Sequence, residues 1–315
     1  VKAGHIELLG ILRVLEASLF GPRTRFVIHE LTGDILSIQG RWDEAEEQYD
    51  HALPIAVKHK LTTPLARIYS SRADLAVKKG EMDNALSLHK KALEMQIKLR
   101  DAQGAARSYN NMGYIFRRQR DNKRAIEVYG NVEELLESED SPDLTEARIR
   151  LASAFLEMGE MDRARDHAMK AHDETAENNQ EKLHARSRAV LGRYYARIKD
   201  NDLAMHHYTG ALEILSDQSD PRSAVEVEIL LGQVLSDAGS TEEAAQHYLD
   251  ALSIAEANDF RMMQGEILSR LGEVESNRSQ RMDYLQRSLV VFRELGAVDR
   301  MREVQNSVHR VVMGH

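Results

Sequence analysis

Small residues recur along this chain every forty positions. Ala45, Ala85, Ala125, Ala164, Ala204 and Ala244 are spaced by 40, 40, 39, 40 and 40 residues, and Tyr284 falls in the same phase. Twelve positions before each stands a second small residue: Gly33, Ala73, Gly113, Ala152, Gly192, Gly232 or Gly272. Gly40, Gly80, Gly159 and Gly239 lie five before the alanine. Ala52, Ala92, Ala171, Ala211 and Ala251 lie seven after it, with Val132 and Val291 in two other repeats. Columns that keep one phase over seven repeats mark an architecture in which each repeat buries its apolar face against its neighbours.

The columns predict a pair of helices per repeat. A glycine or alanine in the first column lets the helices approach closely, and the alanine twelve later supplies the facing contact. Tyr49, Tyr129, Tyr208 and Tyr248 are expected to fill the space between hairpins. The intervening glycine ends the first helix, where a positive φ is often required. Asp43, Asp83, Asp162 and Asp202 then mark the N-cap or first turn of the second helix, and Asp43 with Glu46 and Ser240 with Glu243 have capping-box spacing. Pro22, Pro142 and Pro221 fall between hairpins and Pro64 near a helix start. Pro54 falls inside the second helix of the first repeat, which predicts a kink or an early break there.

With 30% charged and 42% hydrophobic residues, the composition suits amphipathic helices that each bury one stripe. The chain has no cysteine, so disulfides, thiolate metal sites and cysteine nucleophiles are excluded. No apolar run approaches the ~18 residues of a membrane span; Ile6 to Phe20 is broken by Glu7, Arg13 and Glu16. No signal peptide is visible, and a cytoplasmic location is expected. A net charge of -9 argues against a nucleic-acid partner. There is no phosphate loop, dinucleotide fingerprint or nucleophile elbow. The adjacent His206 and His207 point about 100° apart on a helix, and His167 and His172 are five apart, so neither pair has metal-ligand spacing. Glu46 with Glu47 and Glu242 with Glu243 sit at helix starts, where the macrodipole favours negative charge. No catalytic residue, metal or cofactor is expected.

In the repeat around Ala125 the series Tyr109, Met112, Gly113, Phe116, Ala125, Tyr129, Val132 resembles the tetratricopeptide repeat, as does Leu191, Gly192, Tyr195, Ala204, Tyr208, Ala211. The usual period is about 34. The long variant is similar to the repeats of bacterial regulators with a fused nucleotide-binding switch (the maltose-activator type), and to those of polarity scaffolds and kinesin light chains. Scaffold-type repeats carry an asparagine two before the first-helix glycine; here only Asn111 does, the others being Leu31, Ser71, Arg150, Val190, Leu230 and Arg270. The resemblance implies an all-α fold, a right-handed superhelical solenoid of helix-turn-helix repeats. It divides the chain into a truncated leading half-repeat (1–24, with Leu12 in the alanine column), seven repeats (25–297) and a capping helix (298–315). The whole is expected to form a single solenoid, begun in mid-repeat and so excised from a longer protein. The acidic loop Glu137 to Leu144 reads as a connector.

The resemblance also implies that first helices line a concave face, at positions six and three before the small residue and one, four and five after it. The third repeat then presents Arg107, Asn110, Tyr114, Arg117 and Arg118, and the fifth Arg186, Arg193 and Arg197, with Arg150 beside the groove. Glu30 and Asp34 in the first repeat and Glu226, Asp237, Glu266 and Glu273 in the last two make the ends acidic. A basic centre suits an acidic peptide or protein segment, with Asn110 and Asn111 holding main chain. The expected function is non-catalytic: a scaffolding or regulatory interaction module. The alternatives are the effector-sensing domain of a STAND-type signalling ATPase or transcription regulator, and an oligomeric scaffold.

Overall fold

The computed structural model describes residues 21–137, 141–178, 180–215 and 220–313, together with Leu8, Ile11 and Leu12. Among these residues there are fifteen helices and no strand. They are α1 (Pro22–Ile38), α2 (Trp42–Lys58), α3 (Thr62–Lys79), α4 (Met82–Leu99), α5 (Ala102–Arg118), α6 (Asn122–Leu136), α7 (Pro142–Met158), α8 (Met161–Glu177), α9 (Glu181–Arg197), α10 (Asn201–Leu215), α11 (Pro221–Asp237), α12 (Thr241–Ala257), α13 (Arg261–Val274), α14 (Arg278–Glu294) and α15 (Val298–Met313). Odd and even helices up to α14 are the first and second members of seven hairpins, in the phase of the forty-residue period. The chain is thus an all-α helical-repeat solenoid. Most of the leading segment 1–20, and residues 138–140 of the acidic loop, lie outside the described residues.

Contacts divide the chain into two compact units, residues 1–154 and 155–315. In the first, α1 pairs with α2, α3 with α4 and α5 with α6, while α1, α3 and α5 touch in succession. In the second, α9, α11 and α13 pair with α10, α12 and α14, and α9 touches α11. Helix α15 closes on α14, burying Val304 and Val311 against Leu285 and Phe292.

The alanines at 45, 85, 125, 164, 204 and 244 are wholly buried. The tyrosine column refines one expectation: each ring is seated on the glycine of its own hairpin, and its hydroxyl end reaches the next, toward Ser71 and Asp74 from Tyr49, Arg150 from Tyr129 and Arg270 from Tyr248. A Cβ placed on Gly33, Gly192 or Gly232 would lie 2.5, 2.5 or 2.6 Å from Tyr49, Tyr208 or Tyr248. The glycine is therefore the seat of the ring sixteen residues on, and these tyrosines are among the largest fully buried side chains.

The turn between paired helices is left-handed in six of the seven repeats. Gly40, Gly80, Gly159 and Gly239 have φ of 77°, 82°, 78° and 88°. Arg120 and Lys199 stand in the same place with φ of 60° and 62°, so non-glycine residues adopt the strained conformation there. The Asp43–Glu46 and Ser240–Glu243 capping boxes do not form. Arg41 and Ser240 are the N-caps of α2 and α12, without a side-chain bond, and Asp43 sits in the first turn. Side-chain caps occur instead at Asp101, Asp121, Asp220 and Asn277. Pro54 does not break α2, which continues to Lys58; its ring lies on the exposed side of the helix.

Candidate binding site

In the first unit, residues six and three before the small-residue column and one after it line a common recess of about 570 Å³. Helix α1 supplies Val27, Glu30 and Asp34, α3 supplies Arg67, Ser70 and Asp74, and α5 supplies Arg107. Asn111 joins them from α5, and His89 reaches in from the second helix α4. The helical spacing of these positions places them on one side of each helix.

The charges divide into satisfied and unsatisfied groups. Arg67 grips Glu30 with both ends of its fork, Nε donating to Oε1 at 2.9 Å and Nη2 to Oε2. Burial pushes the Glu30 carboxyl up, and Arg67 opposes it. Asp34 Oδ1 accepts from Tyr49 Oη at 2.6 Å, and Asp74 Oδ1 accepts from Asn111 Nδ2 at 2.9 Å. Desolvation pushes the Asp74 carboxyl up to about 6, with Lys78 pulling it down and Asp34 adding to the rise. His89 is fully buried, and neither ring nitrogen has a hydrogen-bond partner. Its Nε2 stands 3.5 Å from Asp74 Oδ1, and desolvation pulls its pKa down to about 4. The imidazole is therefore neutral at neutral pH, with one nitrogen free to accept.

The arginines expected to form a cationic floor are largely matched by acids or carbonyls. Arg107 is exposed but leans 3.6 Å from Asp143 Oδ2. Arg150 is bonded to Glu146, with its guanidinium 5.6 Å from the centre of the Tyr114 ring. Tyr114 is exposed and accepts from Arg118 Nη1 at 3.4 Å, and Arg118 is exposed beside it, whereas Arg117 is half-buried. Asn110 turns inward instead: it is buried, and its Nδ2 donates to Asp143 O at 2.9 Å, fixing the start of α7. Asn111 remains on the open face. In the second unit Arg186 is half-buried, Arg193 Nη2 lies 4.0 Å from Glu157, and Arg197 Nη2 donates to Leu156 O at 3.2 Å.

The histidines are arranged for packing. His172 stacks on His184 with centroids 4.8 Å apart, and His207 stacks on Tyr195 at 5.2 Å. Among the described residues, one trio has ligand atoms close enough for an ion: Glu228, His247 and Asp250. His247 Nδ1 already bonds Glu228 at 2.7 Å, just as His29 Nδ1 bonds Gln48 at 2.9 Å in the equivalent place of the first repeat. The bridge between paired helices accounts for Glu228 and His247 without a metal, and Asp250 Oδ1 accepts from Gln246 at 3.0 Å.

The family model for the MalT-like TPR region matches residues 22–264. The chain belongs to that family. Comparison of the sequence with curated proteins finds no match. Solved structures show the same fold. BtubC from P. vanneervenii is 23% identical, with a TM-score of 0.58 over 70% of this chain and 92% of that one. The STAND protein PH0952 from Pyrococcus horikoshii, with its tetratricopeptide repeat sensor, is 15% identical, with a TM-score of 0.63 over 84% of this chain and 43% of that one. The Rap conjugation gene regulator of plasmid pLS20, in complex with the Phr* peptide, is 15% identical, with a TM-score of 0.62 over 82% and 75%.

Two residues of this MalT-like TPR region were missed by reading charge alone, Asp74 and His89. Their phase would have found them. His89 stands in the column of Tyr49, Tyr129, Tyr208 and Tyr248, and Asp74 stands forty residues after Asp34. The second repeat thus replaces the glycine–tyrosine pair with Ala73 and His89. No helix among the described residues is long and apolar enough to cross a membrane.

Proposed function

We propose that the chain is a non-catalytic interaction module, the regulatory or scaffolding part of a larger protein. In this reading it holds a peptide or protein segment on the face of its first helices. The recess shared by α1, α3 and α5 carries the proposal, because a cavity floored by three consecutive repeats offers a row of polar groups in fixed register to an extended chain. The paired helices hold that row before anything binds, so little ordering of the receptor is needed. Arg107 and Asn111 supply donors at the recess and Arg118 a further one beside Tyr114 along α5, which suits an acidic or amide-bearing stretch on that helix. Membership of the MalT-like TPR region family and the peptide-bound Rap structure support a peptide or protein partner.

A phage-displayed library of random dodecapeptides, panned against the chain, tests this. Selected peptides are expected to lose affinity for a chain carrying Arg107→Glu and Arg118→Glu, and to keep it for Lys90→Glu on the outer helix α4. Failure to select any peptide, or equal binding to both variants, overturns the proposal. Effector sensing within a STAND-type signalling protein is the second reading, favoured by the likeness to the PH0952 sensor.

A further inference from the structure

In the first repeat a ring and a carboxylate meet: Tyr49 Oη donates to Asp34 at 2.6 Å. In the second, the same two columns hold His89 and Asp74. The imidazole is shorter than a phenol and stops 3.5 Å from Asp74 Oδ1, with both nitrogens unbonded although the side chain is fully buried. A polar ring buried without partners is costly unless something completes its bonding.

The charges around the recess decide what that something is. Arg67 is taken by Glu30, Arg107 leans to Asp143, and Asp101 caps Gly104 N at 2.9 Å. Asp34 and Asp74 each keep one carboxylate oxygen without a hydrogen bond among the described residues. Lys78, on the same helix as Asp74, donates its ammonium to Ser37 Oγ at 2.8 Å. Two carboxylates and a neutral imidazole repel an anion, and a neutral group leaves their charge unmatched. We propose that this recess takes one basic side chain, an arginine guanidinium or a lysine ammonium, from the segment held on the face of α1, α3 and α5, with Asp34 and Asp74 as counter-charges and His89 as a hydrogen-bond acceptor. This rests on the peptide-holding function proposed above and names what the site selects.

The ionisation of the recess agrees. His89, with its pKa near 4, stays neutral and can accept. Asp74, pushed up to about 6 by desolvation, is stabilised as a carboxylate when a cation arrives. The groups facing it are Glu30 and Asp34 from α1, Tyr49 from α2, Arg67 and Lys78 from α3, His89 from α4 and Arg107 and Asn111 from α5. Affinity for the basic side chain therefore falls as pH drops below about 6.

The dodecapeptides selected on the chain supply the probes. They are expected to share one arginine or lysine. Replacing that residue by glutamine is expected to weaken binding about 10- to 100-fold on the wild-type chain, and several-fold less on Asp74→Asn, where Asp34 alone remains as counter-charge. Arginine and lysine versions of each peptide, titrated side by side, show which cation the recess prefers. The double variant Ala73→Gly with His89→Tyr, which fills the recess from behind, is expected to erase the preference while circular dichroism reports intact helices. Selected peptides that bind through the face but carry no basic residue overturn this inference and leave the peptide-holding function standing. So does an equal loss on wild type and Asp74→Asn. Failure to select any peptide overturns both.

Discussion

The imidazole of His89 halts 3.5 Å from the Asp74 carboxylate, where one repeat earlier the phenol of Tyr49 reaches Asp34 at 2.6 Å. The difference is coupled to the small-residue column. Gly33 admits the tyrosine ring, whereas Ala73 carries a methyl group where the glycines leave space. The second repeat has exchanged both members of a pair, and the exchanged His89 lines the recess.

The coupling predicts non-additive stability. His89→Tyr alone should drive a phenol toward the Ala73 methyl and cost about 1–3 kcal/mol by overpacking. Ala73→Gly in the same chain should seat that ring and let its hydroxyl reach Asp74. A double-mutant cycle from urea unfolding should give a favourable interaction energy of about 1–3 kcal/mol. A cycle that closes to zero would show that the two columns act independently.

Gly232→Ala should destabilise the second unit. The added Cβ would fall 2.6 Å from the fully buried ring of Tyr248, which has nowhere to retreat. A loss of about 1–3 kcal/mol is expected. The urea midpoint of the variant, with an unchanged slope, is the measurement.

The left-handed turns make a paired prediction. Gly40→Ala imposes a side chain on a φ of 77° and should cost about 1 kcal/mol. Lys199→Gly removes a side chain from a φ of 62°, but it also loosens the unfolded chain, so the gain should be under about 1 kcal/mol. Thermal melts of the two variants should move in opposite directions.

The acid behaviour follows from opposed shifts. Desolvation lowers His89 from 6.5 to about 4, and lowers His207 to about 4 with help from Arg188. The unfolded chain takes up those protons first, so the stability these imidazoles contribute is intact above about 6.5 and lost as pH falls toward about 4. Asp74 runs the other way. Raised from 3.8 to about 6, it is protonated first in the folded chain; its side chain is 53% exposed, so water screens part of the effect and only a partial relief follows as pH falls from about 6. Asp74 therefore offsets part of the His89 effect between about pH 6 and 4. Asp74→Asn should make the urea midpoint fall more steeply over that interval, and His89→Phe less steeply. Parallel slopes for both variants and wild type would contradict the assignment.

The fold was legible because its cause is periodic. The wholly buried alanines at 45, 85, 125, 164, 204 and 244 are the columns that the sequence displays. The direction of Tyr49 was not legible, because spacing says that a ring faces small residues and not in which hairpin they lie. Positions six and three before the small residue, and one after it, line the recess on α1 and α3; on α5 only the first of them does, and positions four and five after the small residue do not. What charge could not show is how Arg150 is spent on Glu146 and Asn110 on a backbone carbonyl, since both depend on neighbours brought together by folding. Local capping chemistry also misled at Ser240, whose hydroxyl makes no cap although its spacing to Glu243 fits.

A polar ring left short of its partner by trading two residues within a regular framework is portable. The Gly192–Tyr208 and Gly232–Tyr248 pairs occupy the same seats farther along the chain. Writing alanine and histidine into either would place an unpartnered imidazole whole repeats away, so a lineage of such proteins could reposition its point of discrimination without rebuilding a single helix.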